Sequence, residues 1–221
     1  IPHYKNFEIA ALNVSSKQVG GDYYDIIELD QNDCCIAIAD VSGKGVPASL
    51  LMANMQAFLQ VICRQNVPLD KATGLINDLI SKNTADGKFI TFFWGILNDI
   101  EKTFKYVNAG HNPPLLIRNG KIIKLEIGGM ILGVMKTLIP YRSEKIQLIK
   151  DDVIVMFTDG ITEAMNKKGE EYSDISLEKL SLEISKETSE YIINKIQLDV
   201  QKFTDGASQS DDITLVVIKV K

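Results

Sequence analysis

Four short acidic motifs each place an aspartate where a predicted β-strand meets a turn. They are residues 20–22 (GGD), 40–45 (DVSGKG), 158–160 (TDG) and 210–213 (SDDI). Taken singly, each motif is typical of an ordinary turn, because aspartate and glycine both favour turns. Together the four motifs indicate a common site, because strand ends that are distant in sequence can converge on one edge of a sheet. An aspartate that ends an apolar strand places charge beside buried surface, which is costly unless a cation compensates it.

Carboxylate clusters of this kind suit hard divalent cations such as Mg²⁺ and Mn²⁺. Several aspartates can hold two such ions about 3.5–4 Å apart, generate a usable hydroxide from bound water and neutralise charge on a phosphoryl oxygen. Gly21, Gly43 and Gly45 would let backbone atoms approach such a site closely. The chain has only two histidines and three cysteines, which disfavours a zinc site of the usual His/Cys type.

Two further residues have chemistry of their own. Lys44 stands between two glycines, but the GxxxxGK[ST] spacing of a Walker-type nucleotide loop is absent. A helix that begins after Gly45 could still attract a phosphate through its N–H groups. His111 lies in a rigid turn at residues 108–114 (NAGHNPP), where it either contacts substrate and transfers a proton, or pins the turn by hydrogen bonds. We favour the pinning role, and we expect His3 to be exposed.

Strands dominate the predicted elements and cluster along the chain. Strands are predicted at residues 7–14, 22–29, 34–41, 89–97, 103–108, 115–117, 121–125, 145–149, 152–157 and 213–220. Apolar residues at helical spacing predict two helices across residues 46–81, the second capped by Asp70, and two more between residues 177 and 203. The Asn-Gly pair at 119–120 predicts a hairpin, and Phe92, Phe93 and Trp94 are expected in the core. Clustered strands favour an α+β fold with a two-layer sheet core and helix pairs outside.

Composition limits the class of protein. The 221 residues carry 24 Lys+Arg and 29 Asp+Glu, a formal charge of −5, which argues against a dedicated nucleic-acid binder. No apolar run approaches the ~18 residues needed to span a bilayer, so we expect no membrane contact by this domain. Three cysteines without a CxxC pair predict apolar thiols and a cytoplasmic location. The chain begins at Ile1 without a leader, and we expect it to be part of a longer protein.

Five stretches, in order along nearly the whole chain, resemble the bacterial stage-II-sporulation-E-like branch of the metal-dependent PPM (protein phosphatase 2C-like) serine/threonine phosphatases. They are residues 19–25 (VGGDYYD), 39–51 (ADVSGKGVPASLL), 106–114 (YVNAGHNPP), 158–164 (TDGITEA) and 211–214 (DDIT). The resemblance implies a single phosphatase domain across residues 1–221. It also implies an α/β/β/α four-layer sandwich, in which two antiparallel sheets are flanked by helix pairs.

The resemblance further implies a centre of two Mn²⁺ or Mg²⁺ ions, with a third weak site, at one edge of the sandwich. By motif position, the catalytic ligands would be Asp22, Asp40, Asp159 and Asp211, joined by the carbonyl of Val41. Asp40 would bridge both ions. Asp212 is the less favoured ligand of its pair, because eukaryotic relatives carry Asn there. The secondary candidates are Gly21, Ser42, Lys44, His111 and Asp212.

Two departures from eukaryotic relatives affect the mechanism. Ser42 stands where those relatives have a histidine thought to act as general acid, so protonation of the leaving group is unassigned. Their phosphate-gripping arginine near the N-terminus has no evident match in this chain, so phosphate would be held mainly by metal and water.

The implied reaction is hydrolysis of phosphoserine or phosphothreonine in a protein, by in-line attack of a water bound to the two-metal centre. The implied substrate is a phosphorylated anti-sigma-factor antagonist. Members of this branch are usually the C-terminal output of a longer cytoplasmic chain with a sensor or receiver module, and a homodimer is a further expectation. Two alternatives remain open, a weak or inactive phosphatase fold that binds a partner, and a structural divalent-ion protein. The presence of all four aspartates favours the active enzyme.

Overall fold

The chain folds into two stacked β-sheets with helices outside each. The computed structural model describes residues 4–84 and 87–221, so His3 lies outside the described residues. The strands are β1 (Phe7–Val14), β2 (Tyr23–Glu28), β3 (Asp33–Val41), β4 (Ile90–Asn98), β5 (Thr103–Ala109), β6 (Leu115–Arg118), β7 (Lys121–Lys124), β8 (Gly128–Gly129), β9 (Glu144–Gln147), β10 (Val153–Phe157) and β11 (Ile213–Val220). The helices are α1 (Val46–Ile62), α2 (Leu69–Asn83), α3 (Asp159–Thr162), α4 (Asp174–Ile184) and α5 (Ser189–Thr204).

The first and last strands of the chain lie side by side in one sheet. This sheet has the order β1-β11-β10-β6-β7 and is antiparallel throughout, with Phe7 opposite Val220. The other sheet has the order β2-β3-β4-β5-β8, and β9 also pairs with β5. Among the described strands, the short pairing of β5 with β8 is the parallel exception to the predicted antiparallel pattern.

Three apolar clusters hold the layers together. Between the sheets, the largest fully buried side chains include those of Ile36, Phe93, Phe104 and Tyr106. The second cluster packs α1 and α2 on one sheet, through residues such as Met55, Leu59, Ile76 and Trp94. The third packs α4 and α5 on the other sheet, through residues such as Val155, Leu177, Ile192 and Ile196. The predicted four-layer α/β/β/α order is therefore confirmed.

The aromatic run in β4 serves two of these clusters. Because successive side chains of a strand point to opposite faces, Phe92 and Trp94 pack beneath α1 and α2 while Phe93 lies between the sheets. The indole Nε1 of Trp94 donates to Thr73 Oγ1 on α2 at 2.9 Å. The three aromatic side chains are at most 1% exposed, which confirms their predicted place in the core.

Some local predictions were met and others were not. Asn119 and Gly120 both have positive φ, 50° and 72°, as expected for the predicted Asn-Gly hairpin. The prediction that Asp70 caps α2 was wrong, because Pro68 holds the cap position and Asp70 lies in the first turn. There its charge suits the positive end of the helix dipole. The sequence missed α3 and β8, which are too short to show any periodicity.

The structure also describes the three cysteines and the lengths of the helices. Cys34, Cys35 and Cys63 are all free and buried, as predicted. Within residues 4–84 and 87–221, no helix is both long enough and apolar enough to cross a membrane.

Candidate metal centre

Antiparallel pairing brings the four predicted aspartates to one end of the sandwich. The start of β2, just after Asp22, lies beside the end of β3, which carries Asp40. In the other sheet, the end of β10, just before Asp159, lies beside the start of β11, just after Asp211. Each sheet therefore contributes two aspartates to the same region.

Asp22 ties the two sheets together. Its Oδ2 accepts hydrogen bonds from Thr158 Oγ1 and Thr214 Oγ1, both at 2.7 Å and both from the opposite sheet. Burial raises the pKa of Asp22 to about 8; the bonds from the two threonines oppose this rise, and the charge of Asp40 adds to it. Sequence reasoning had included both threonines in its motifs but had given them no role.

Asp40 and Asp159 show the same crowding of negative charge. Burial raises the pKa of Asp40 to about 7, and the charges of Asp159 and Asp211 contribute to the rise. Burial and the charge of Asp211 also raise the pKa of Asp159. Buried carboxyl groups that repel one another in this way are stabilised by any cation that enters among them.

A lysine already approaches this cluster. Lys44 Nζ lies 2.7 Å from Asp211 Oδ2 and donates to the carbonyl oxygen of Ser210 at 2.6 Å. The hydrogen bond to Asp211 raises the pKa of Lys44. Lys44 therefore belongs to the site, in contact with a predicted metal ligand rather than in a nucleotide loop.

The carboxylate of Asp212 is bonded to the backbone and to a hydroxyl of the loop before β2. Its Oδ1 accepts from the N–H and hydroxyl of Ser16 at 2.7 and 3.0 Å, and its Oδ2 accepts from the N–H of Gly21 at 2.8 Å. Burial alone would raise the pKa of Asp212, but these hydrogen bonds outweigh it and lower the pKa. Both carboxylate oxygens of Asp212 are therefore already occupied by protein donors, and its rank as the less favoured ligand stays a prediction.

Gly21 keeps the Val41 carbonyl accessible. A Cβ atom at Gly21 would stand 3.0 Å from the carbonyl oxygen of Val41, closer than nearly all real contacts of that kind. The glycine thus allows the loop before Asp22 to pass directly over the end of β3. Its role is steric, as expected from the sequence.

Ser42 is engaged in the local backbone. Its N–H donates to the Phe89 carbonyl at 2.9 Å, and its hydroxyl accepts from the Phe89 N–H at 2.9 Å. Ser42 therefore joins the loop after β3 to the residue before β4.

His111 is buried, with 4% of its surface exposed. Its Nδ1 lies 2.9 Å from Thr91 Oγ1, and burial lowers its pKa to about 4. This contact joins the turn to β4. Asn108, which sequence reasoning missed, holds the turn as well. Its side chain accepts from the His111 N–H and donates to the carbonyls of His111 and Leu125, at 2.8 to 3.1 Å.

The oxygen atoms of this region suit a hard divalent cation. They belong to carboxylates, whose negative charge is only partly compensated, and to a backbone carbonyl. As the side chains are placed, however, no three His, Cys, Asp or Glu residues in the described part of the chain are close enough to hold an ion. The structure brings the predicted ligands to one region, and the ligand set itself stays a prediction.

The sequence is similar to that of known phosphatases. The profile of the Stage II sporulation protein E (SpoIIE) family matches residues 30–221. Phosphoserine phosphatase RsbU of Bacillus subtilis (strain 168) is 31% identical over 224 residues, which cover 100% of this chain and 65% of that protein. Two further curated relatives are covered over 38% and 34% of their lengths, so the chain spans less than two thirds of each of these proteins.

Two solved structures share the fold. The PP2C phosphatase domain of SpoIIE from Bacillus subtilis, with a fragment of its regulatory domain, gives a TM-score of 0.84 at 22% identity, covering 99% of this chain and 64% of that chain. RsbX in complex with magnesium gives a TM-score of 0.74 at 16% identity, covering 100% and 98%.

The sandwich with its acidic edge is thus a PP2C-type phosphatase fold. Within that class, the chain belongs to the Stage II sporulation protein E (SpoIIE) family. The predicted family and fold class are confirmed.

Proposed function

We propose that this domain is a metal-dependent protein phosphatase that hydrolyses phosphoserine or phosphothreonine on a protein. The observation that carries the proposal is the meeting of four aspartates from two sheets at one end of the sandwich, with the pKa values of Asp22 and Asp40 raised by burial and neighbouring charge. Paired divalent ions held by carboxylates serve phosphoryl chemistry in many enzymes. The name of the relative RsbU, a phosphoserine phosphatase, supports the same reaction.

In this proposal Asp22, Asp40, Asp159, Asp211 and the carbonyl of Val41 would hold two Mn²⁺ or Mg²⁺ ions. When bound, the ions supply Lewis acidity toward the phosphoryl group and lower the pKa of bound water. The magnesium complex of RsbX supports this choice of ion. The threonine hydroxyls that bond Asp22 Oδ2 fix that carboxylate in position, and we assign its Oδ1 to the metal.

The leaving serine or threonine must gain a proton, and two of the secondary candidates, Ser42 and His111, do not suit that role. The Ser42 hydroxyl is too weak an acid to give up its proton near neutral pH, and His111 is buried with a pKa of about 4. A group with so low a pKa carries no proton to donate near neutral pH. We therefore assign protonation of the leaving group to solvent water.

The wider setting follows from the family resemblance. We propose that residues 1–221 form one catalytic domain, the output of a longer cytoplasmic chain with a sensor or receiver module. The substrate class is a phosphorylated anti-sigma-factor antagonist or a similar phosphoprotein, and a homodimer is the proposed assembly.

The alternative is a weak or inactive phosphatase fold that binds a partner. The presence of Asp22, Asp40, Asp159 and Asp211 in one region favours the active enzyme, because loss of a ligand is the simplest way to lose activity.

Phosphate release from a phosphoserine-bearing antagonist domain tests the proposal. With Mn²⁺ present we expect turnover by the wild type, loss of turnover on chelation, and loss in Asp40→Ala and Asp211→Ala. Asp205→Ala, at an exposed site at the end of α5, is the matched control and should keep wild-type activity. Equal rates for the wild type and both site variants would refute the metal mechanism, and tight binding without turnover would favour the alternative.

A further inference from the structure

A cavity of about 300 Å³ lies beside the candidate metal centre. It is enclosed by α3, the C-terminal half of α5 and the loop at residues 205–210. Its apolar lining includes Val14, Ile161, Val200 and Ile213, of which Ile161 and Val200 are almost fully buried. The size falls at the lower end of the range that binds small ligands, and suits one large side chain.

The cavity is neutral although its surroundings are highly charged. None of the described residues that line it is an acid or a base. Its polar groups are hydroxyls and amides, among them Gln197, Gln201 and Gln209. Such a lining disfavours a charged occupant, which would lose its hydration without gaining an ion pair. It favours an apolar group whose neighbouring peptide units can hydrogen-bond to the amides.

The cavity is also continuous with the candidate catalytic region. Two of its lining residues, Gly160 and Ser210, are the chain neighbours of the predicted ligands Asp159 and Asp211. Gln209 Nε2 donates to the carbonyl of Asp211 at 2.7 Å and to that of Val14 at 2.9 Å. The loop that covers the cavity is therefore bonded to the backbone of a proposed ligand.

We propose that this cavity binds an apolar side chain that lies close to the phosphoserine in the protein substrate. This inference rests on the proposed function. Because Gly160 and Ser210 border both, a segment whose phosphate reaches the four aspartates can place a neighbouring side chain in the cavity. The cavity would then select substrates with a leucine- or phenylalanine-sized residue near the phosphate and reject those with a charge there.

Synthetic phosphoserine peptides test this inference. The panel places Leu, Phe, Ala or Asp at each of the four positions on either side of the phosphoserine, and kcat/KM is measured with Mn²⁺. At one position, burial of the apolar side chain should make kcat/KM for the Leu or Phe peptide on the order of tenfold higher than for the Asp peptide.

Two variants alter the cavity, and one matched variant does not. Ala207→Phe fills it, and Met165→Lys places a cation at its rim, where Met165 is 47% exposed. Leu198→Lys makes a like change at a similarly exposed site on α5 outside the cavity. In Ala207→Phe we expect the ratio of kcat/KM for the Leu peptide to that for the Asp peptide to fall to about one. In Met165→Lys the ratio should fall below one, in favour of Asp. In Leu198→Lys it should stay as in the wild type. Thermal unfolding of each variant checks that the domain is folded.

The outcomes separate this inference from the function on which it rests. Turnover without any positional preference, or a preference that both cavity variants keep, overturns the cavity assignment and leaves the phosphatase intact. Failure of the wild type to release phosphate from any peptide and from a small aryl phosphate overturns the proposed function, and the cavity assignment with it.

Discussion

Asp211 and Asp212 are adjacent in sequence, yet their surroundings give them different roles. The Asp211 side chain is 38% exposed and paired with Lys44, whereas Asp212 is 6% exposed and accepts three hydrogen bonds from Ser16 and Gly21. The family resemblance favours Asp211 as the ligand, and that choice stays a prediction. The sequence did not predict the anchoring contacts, because Ser16 lies 196 residues away along the chain.

This difference predicts that alanine lowers stability at position 212 and abolishes activity at position 211. Asp212→Ala leaves buried N–H groups without an acceptor and should lower the free energy of unfolding by about 1–3 kcal/mol. Asp211→Ala should change it by less than about 0.5 kcal/mol, as at most surface sites, while abolishing Mn²⁺-dependent activity. Urea unfolding of the metal-free proteins makes the comparison. An equal loss of stability in both variants would contradict these roles.

In the proposed site Lys44 would compete with metal for Asp211, because both cations would lie beside the same carboxylate. Because a half-exposed ion pair contributes at most about 1 kcal/mol, Lys44→Met should tighten Mn²⁺ binding by up to about fivefold, as measured by calorimetric titration. Lys88→Met is the matched control, because Lys88 Nζ contacts the Ser42 carbonyl rather than an acid. Weaker Mn²⁺ binding in Lys44→Met would show that the lysine assists the metal site.

At the scale of elements, the turn after β5 shows where sequence reasoning succeeds and where it stops. The rigid NAGHNPP segment was recognisable from its residue types. His111 makes one side-chain hydrogen bond to Thr91, in line with the pinning role predicted for it. The larger share of the turn's hydrogen bonds comes from Asn108, and its partner, the Leu125 carbonyl, is reachable only once the segment before β8 folds beside β5. Strands with clear apolar runs were predicted almost to the residue. The two-residue β8 and the single turn α3 depend on tertiary pairing and left no signal.

Replacement of Asn108 tests the pinning role. Asn108→Ala removes three hydrogen bonds in a site that is 4% exposed, and should lower the free energy of unfolding by at least about 2 kcal/mol, since each buried group left without a partner costs about 1–3 kcal/mol. Asn194→Ala, on the exposed face of α5, should have almost no effect. Chemical denaturation measures both. Matching stabilities would mean that another contact holds the turn.

At the scale of the whole molecule, the site exists only when both sheets are stacked. Asp22 belongs to one sheet and its threonine partners to the other, so the aspartates meet only in the folded sandwich. The resemblance gave the layer order correctly. The cavity beneath the loop at residues 205–210 could not be foreseen, because it forms between elements that are far apart in sequence.

The burial of Asp22 and Asp40 beside other acids predicts how the stability of the metal-free protein depends on pH. In the folded state the pKa values of Asp22 and Asp40 are about 8 and about 7, against about 3.9 in an unfolded chain. The folded state therefore binds more protons between these values, and its stability falls as pH rises from about 5 to 8.

Urea unfolding in the presence of a chelator measures this slope. Asp22→Asn should flatten it, and Asp205→Asn, at an exposed ion pair, should leave it unchanged. Stability that rises with pH over this range in the wild type, relative to Asp22→Asn, would contradict the burial of these acids.

The central claim is that the four aspartates hold two divalent ions, and calorimetric titration of the metal-free protein with Mn²⁺ tests it most directly. The account predicts two ions per wild-type chain, loss of both in Asp40→Ala, loss of one in Asp211→Ala, and two in the control Asp205→Ala. A wild-type chain that binds no Mn²⁺, or an Asp40→Ala chain that binds two ions as tightly as the wild type, would contradict it.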